Sequence, residues 1–246
     1  MRLDVFLCEQ GLVSSRTEAK NFIVGGNVTV GGKTVRKPAF DIDEGRSDIC
    51  VDRTSKRYVS RGGLKLEAAL TAFDIDVTGR YALDVGASSG GFTDCLLKHG
   101  AAHVVAVDSG YGQMVEVLRL DPRVTVIENY NARYMKGEDF EYEPTLAVMD
   151  VSFISATYIM PAVAAVLSDG GDFICLIKPQ FEVGRSGLGK GGIVKDERVR
   201  RDAVERAIAF ASSVGLEHRG LIASPIEGGD GNTEFLAHFI NRKTEE

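Results

Sequence analysis

Short apolar runs recur through the chain at residues 81–85, 104–108, 124–127, 146–150 and 173–178, each separated from the next by a helix-like segment. Runs that stay apolar on both alternating faces belong to strands covered on both sides, so the pattern predicts a parallel sheet sandwiched by helices. The end differs. Residues 221–225 and 234–240 read as strands with no helix between them, which predicts an antiparallel pair at the sheet edge. Upstream, Leu66, Ala69, Leu70 and Phe73 form the apolar stripe of a helix. Lys65 borders that stripe and either snorkels to water or reaches into a cleft. The first residues follow another pattern. Leu3, Phe6 and Leu7 share one helix face, Ser15-Arg16-Thr17-Glu18 is a capping box opening a second helix, and residues 28–35 alternate around Gly31-Gly32 as a hairpin. The expected organisation is a small α+β domain over 1–55, a basic linker over 56–63, and a doubly wound, mostly parallel α/β domain with an antiparallel last strand over 64–246.

The junction after the first predicted strand of the sheet carries the most chemistry. It reads Asp84-Val85-Gly86-Ala87-Ser88-Ser89-Gly90-Gly91-Phe92-Thr93-Asp94. Glycines let the chain approach a ligand without a clashing Cβ, and a helix start offers free N–H groups. The spacing departs from G-x-G-x-x-G, which disfavours a pyrophosphate, while Asp108 lies about 20 residues on, where a carboxylate accepts ribose hydroxyls. Adenosine without a pyrophosphate fits both facts, and S-adenosylmethionine is such a molecule. Two other readings stand beside this one. Gly86-Ala87-Ser88-Ser89-Gly90 also matches the G-x-S-x-G elbow of hydrolases, with Ser88, Asp150 and His238 as a conceivable triad. A glycine turn that only packs strand on helix is the plainer alternative.

Composition changes the picture in one respect. The net charge of -6 argues against a nucleic-acid partner. Its distribution does not: residues 1–63 hold 11 Lys plus Arg against 8 Asp plus Glu, and the remainder 18 against 27. A basic module on an acidic body suggests a nucleic-acid handle. No apolar run approaches the roughly 20 residues that span a bilayer, and the N-terminus lacks the pattern of a secretory signal, so a cytoplasmic protein without membrane partners is expected. Cys8, Cys50, Cys95 and Cys175 are scattered, suggesting neither a disulfide framework nor a metal site.

In doubly wound sheets ligands lie beyond the carboxyl ends of the strands, which selects Asp84, Asp108, Asp150 and Lys178. For Asp150 and Lys178 a salt bridge capping the sheet is the competing explanation. The segment 184–192, glycine-rich and basic, is either a mobile loop or one that closes over a polyanion.

Two resemblances sharpen these readings. Arg2-Leu3-Asp4, Ser14-Ser15-Arg16-Thr17-Glu18-Ala19 and Val28-Thr29-Val30-Gly31-Gly32 resemble the RNA-binding domain named after ribosomal protein S-four, which implies Arg16, Lys20, Lys33 and Lys37 as RNA contacts. Lys65, Asp150, Lys178 and Glu234, in this order, resemble the tetrad of FtsJ-like RNA ribose 2'-O-methyltransferases. The strings Val59-Ser60-Arg61-Gly62-Gly63-Leu64-Lys65-Leu66, Asp150-Val151-Ser152-Phe153-Ile154-Ser155 and Lys178-Pro179-Gln180-Phe181-Glu182 extend the match, and the whole chain resembles the TlyA family. That resemblance implies a seven-stranded methyltransferase sheet, S-adenosylmethionine as cofactor, and ribosomal RNA or ribosomal subunits as partner, methylated at cytidine 2'-hydroxyls. It further implies Lys178 as the hydroxyl-orienting base, Asp150 as its positioner, and Lys65 with Glu234 as substrate-orienting groups. Asp84, Gly86, Ser88, Gly90, Gly91, Thr93 and Asp108 would hold the cofactor, with Asn131 at its adenine. A non-catalytic ribosome-assembly factor, or a membrane-active hemolysin as a historical family label has it, are the alternatives. Oligomeric state is not legible.

Overall fold

The computed structural model describes residues 1–13, 15–43, 45–46, 48–52, 57–184, 187–189, 191–228 and 231–243. Two compact units divide the chain, Met1–Gly62 and Gly63–Glu246. Residues 53–55 of the expected first domain and 56 of the expected linker, and Arg185, Ser186 and Lys190 of the glycine-rich segment, lie outside the described residues.

In the first unit α1 (Leu3–Glu9) and α2 (Arg16–Val24) pack beside a three-stranded antiparallel sheet. Its strands are β1 (Val28–Val30), β2 (Lys33–Thr34) and β3 (Ile49–Val51), in the order β2-β1-β3. Leu3, Phe6, Leu7, Ala19, Ile23 and Val28 make its core. Ser15 Oγ accepts the Glu18 N–H at 3.1 Å, as its place in the capping box requires.

The second unit opens within α3 (Gly62–Ala72), so Gly62 and Gly63 begin a helix rather than end a linker. There follow β4 (Tyr81–Val85), α4 (Gly91–Lys98), β5 (His103–Val107), α5 (Glu116–Arg119), β6 (Val124–Ile127), β7 (Leu146–Met149), α6 (Met160–Val166), β8 (Asp172–Ile177), α7 (Pro179–Glu182), α8 (Glu197–Ser213), β9 (Leu216–Ala223) and β10 (Phe235–Asn241). Among the described residues they build a seven-stranded sheet ordered β6-β5-β4-β7-β8-β10-β9. The first five strands are mutually parallel, and β10 runs antiparallel to both of its neighbours. Every residue of β7 is buried, as expected for a central strand covered on both faces. Leu83, Val85, Met149, Phe173, Ile177 and Phe239 lie in one core cluster with α6 and α8 side chains. Long α8 is capped by Asp196, whose carboxylate accepts the Arg198 N–H at 2.8 Å. No described helix is long and apolar enough to cross a membrane.

Candidate active site

Strand register brings the charged candidates to one edge of the sheet. Asp150 directly follows β7, Lys178 directly follows β8, and Glu234 directly precedes β10. Because Phe235 of β10 pairs with Ile177 of β8, Glu234 and Lys178 occupy the next positions on adjoining strand ends. Lys178 Nζ lies 2.6 Å from Asp150 Oδ1 and donates a hydrogen bond to Ser152 Oγ at 2.8 Å. Lys65, on α3, donates to Glu234 Oε2, and both side chains are buried. The lysine beside the apolar stripe therefore turns inward, which its charge tolerates only because a carboxylate meets it there. The four residues form two ion pairs.

The β4–α4 turn lies against this edge. Gly86 has φ +83°, and a Cβ there would stand 2.5 Å from the Asp150 carbonyl oxygen, so only glycine lets the turn cross the end of β7. Ser88 also takes a left-handed conformation (φ 47°), which aims its N–H at Asp108 Oδ2, 2.8 Å away. The Gly110 N–H donates to the other oxygen of Asp108 at 2.6 Å. Gly90 precedes α4 without any side-chain cap, and Gly91 begins the helix. The α4 start therefore presents backbone N–H groups toward the turn.

Below the turn Asp84 is fully buried and accepts from Thr93 Oγ1 at 2.6 Å through Oδ2, while its Oδ1 has no hydrogen-bond partner. Burial, opposed by the Thr93 bond and reinforced by the charges of Asp150 and Asp108, pushes the Asp84 carboxyl up to about 7. A cradle that excludes Cβ atoms, an uncapped helix start, a backbone-anchored carboxylate at Asp108 and an orphaned carboxylate oxygen suit a ligand with ribose hydroxyls and a cationic end. S-adenosylmethionine has both.

Some expected contacts are redistributed. Thr93 is buried and spends its hydroxyl on Asp84, so it acts behind the turn rather than lining it. Asn131 is exposed, and its Oδ1 accepts the Arg133 N–H at 3.1 Å, the ordinary work of a turn asparagine. The hydrolase triad is not assembled. His238 Nε2 sits 2.7 Å from Asp172 Oδ1, well inside β10, while the Ser88 hydroxyl donates to Gln113 Oε1 at 3.1 Å. In the first unit Arg16, Lys20, Lys33 and Lys37 are all exposed. Arg16 reaches the buried Asp4 at 3.4 Å, and Arg2 holds the same carboxylate with two bonds.

Four residues were given no role in the reading of the sequence. Ser152 touches Lys178, and Gln113 touches Ser88. Glu182 accepts from Ser155 Oγ at 2.5 Å and from the Ala156 N–H at 2.9 Å. Phe153 is 93% exposed, has φ 65°, and its ring lies 5.5 Å from that of Phe181. A bulky residue with positive φ is an outlier of the kind found at functional sites. For Ser152, Phe153 and Glu182 nearness to Asp150 and Lys178 in the chain was the available signal; Gln113 left none, and the contacts themselves left no local pattern.

Comparison with known proteins gives a consistent picture. The family described as FtsJ-like methyltransferase matches residues 58–240, and the S4 domain matches residues 1–47. YqxC of Bacillus subtilis, provisionally named an rRNA methyltransferase, is 47% identical over 97% of this chain and 85% of its own. The Mycobacterium tuberculosis 16S/23S rRNA (cytidine-2'-O)-methyltransferase TlyA is 43% identical over 96% of this chain and 88% of its own. A solved structure from Streptococcus thermophilus, provisionally labelled a hemolysin, superimposes with a TM-score of 0.79 at 45% identity, covering 99% of this chain and 89% of that one. At the level of fold alone, N-methyltransferase NodS from Bradyrhizobium japonicum, solved with S-adenosylhomocysteine, gives a TM-score of 0.52 at 14% identity, covering 74% and 86%.

Proposed function

The chain belongs to the FtsJ-like methyltransferase family, in its TlyA branch with an N-terminal S4 domain, and from that premise we propose that it methylates a ribose 2'-hydroxyl of cytidine in ribosomal RNA. S-adenosylmethionine supplies an electrophilic methyl group when bound, and Gly86, Ser88, Gly90, Gly91 and Asp108 are the residues that would hold it. Lys178 orients the 2'-hydroxyl and, as the neutral amine, takes its proton at Nζ. Asp150 and Ser152 fix that nitrogen, one by charge at 2.6 Å and the other by a hydrogen bond at 2.8 Å. Lys65 and Glu234 flank the same strand ends and orient the substrate. Proton removal of this kind contributes roughly 10²–10⁴-fold. Alignment contributes more, since effective molarities for well-oriented groups reach about 10⁵ M and above.

The carrying observation is the meeting of the Lys178–Asp150 and Lys65–Glu234 pairs at the ends of β7, β8 and β10, with Gly86 pressed against Asp150. Substrate recognition divides between the units. Arg16, Lys20, Lys33 and Lys37 contact RNA phosphates, and exposed Phe153 offers a stacking face for an unpaired base beside Lys178. Ribosomal subunits in the cytoplasm are the substrate in this reading.

Incubation with radiolabelled S-adenosylmethionine and ribosomal subunits tests it, with nuclease digestion to locate the label. Label on a ribose in the wild type, lost in Lys178→Ala with cofactor binding intact, is the expected result. Equal label in both would remove Lys178 from the chemistry. No label in either, despite cofactor and RNA binding, would replace the enzyme by a ribosome-assembly factor.

A further inference from the structure

The two strand ends that carry Asp150 and Lys178 continue into separate loops. After β7 the chain runs through Ser152 and Phe153 to a 3-10 turn at Ala156–Tyr158, and after β8 it enters α7 at once. Nothing in the sheet ladder fixes one loop against the other beyond the strand ends. Glu182, the last residue of α7, spans that gap, taking the Ser155 hydroxyl on Oε2 and the Ala156 N–H on Oε1. Ser155 is itself tied into the 3-10 turn by accepting the Thr157 N–H at 3.2 Å. Both carboxylate oxygens of a half-buried side chain are thus committed to the β7 loop. α7 is short and begins with Pro179, whose fixed φ sets its direction, so the place of Glu182 is set from Lys178 by one short helical turn.

We propose that Glu182 is a positioning residue for methyl transfer, clamping the Asp150–Ser152 loop to the helix behind Lys178 so that Nζ keeps its contacts with both. This rests on the methyltransferase reading above. Burial raises the Glu182 carboxyl, the Ser155 and Ala156 bonds and the Arg206 charge oppose that rise, and its hydrogen bonds go to the β7 loop rather than to the glycine turn.

Three variants of the full chain test the clamp: Glu182→Ala, Glu182→Gln and Ser155→Ala. Glu182→Ala is expected to lower kcat on the order of 10²-fold, the cost of a misplacement of about 1 Å, with the KM for S-adenosylmethionine unchanged. Glu182→Gln still accepts the Ala156 N–H and should recover most of the rate, and Ser155→Ala should fall between. Hydrogen exchange of the amides at 150–156 is expected to quicken in Glu182→Ala and return toward wild type in Glu182→Gln, whether or not RNA is present. Wild-type exchange in Glu182→Ala, or a kcat loss that Glu182→Gln shares in full and that follows only a fall in Tm, would overturn the proposal. A wild-type protein that transfers no methyl group would instead sink the reading it rests on, and the exchange data would still report the clamp.

Discussion

Lys65 and Glu234 stand 169 positions apart in the chain and close a buried ion pair between α3 and the start of β10. Such a pair is held by mutual compensation more than by net attraction, because each ion lost its hydration on burial. Glu234→Ala leaves the Lys65 ammonium buried and uncompensated, and is expected to cost about 3–5 kcal/mol of stability. The double variant Lys65→Met with Glu234→Leu should regain most of that loss and still transfer no methyl group. Urea unfolding beside the label assay separates the two effects; a double variant as unstable as the single one would contradict the compensation argument.

Lys178 is argued to accept a proton, not merely to present a charge. Arginine keeps the charge but cannot be deprotonated in proteins. Lys178→Arg is therefore expected to match Lys178→Ala in losing roughly 10²–10⁴-fold in single-turnover rate. Calorimetric S-adenosylmethionine binding should be unchanged in both. An active Lys178→Arg would assign Lys178 an electrostatic role only.

Asp84 makes stability depend on pH in the direction opposite to most carboxylates. Its folded-state pKa of about 7 stands above the ordinary 3.8, so the folded protein binds the extra proton and stability falls as pH rises through the interval between those values. Asp84→Asn removes that dependence. The stability of the variant relative to wild type should grow by about 4 kcal/mol between pH 4 and pH 8, the free energy of a shift of this size. Denaturant melts of the cofactor-free protein at several pH values measure it. A flat difference would show that Asp84 ionises as an ordinary carboxylate.

Gly86 and Gly79 both have positive φ, but only Gly86 has backbone in the way of a Cβ. Alanine at either position costs about 1–2 kcal/mol of left-handed strain. Gly86→Ala must also displace the Asp150 carbonyl, so cofactor affinity and kcat should fall with Tm. Gly79→Ala should lower Tm alone. Equal activity in the two variants would show that the turn does not position Asp150.

At the opposite end of the sheet His238 and Arg80 both grip Asp172, at 2.7 and 2.6 Å. Burial raises the Asp172 pKa, but the His238 and Arg80 bonds outweigh it and leave the group lowered. Its contribution is present above the unfolded value near 3.8 and disappears as pH falls through the lower folded value. Asp172→Asn is expected to melt below wild type at pH 7 and to converge with it in acid, as read by Tm at pH 2 to 7.

Local pattern carried most of the architecture because its causes are local. β4 to β8 are legible since strands buried on both faces must stay apolar, and α3 since one face of it packs inward. Their ends shift by a residue or so, and β3 and the first half of β9 were missed. β3 is short and only partly buried, and β9 lies at the exposed edge, where Glu217, His218 and Arg219 carry no apolar signal. The glycine turn and Asp108 were likewise readable, because a close backbone approach demands glycine whatever surrounds it.

What the sequence determined by itself, then, is which side chains stand at strand ends: Asp84, Asp108, Asp150 and Lys178 follow from periodicity and from the rule for doubly wound sheets, and Glu234 from the resemblance to the FtsJ-like tetrad. Tertiary structure alone decided whom each one meets. That Lys65 turns inward to Glu234, that Thr93 serves Asp84, that His238 belongs to Asp172 rather than to Ser88, and that Glu182 bridges two loops all depend on register between segments remote in the chain. Local propensity carries no information about that register, because the free energy that sets it, the burial of whole strands and the need to pair every buried charge, is summed over the completed core.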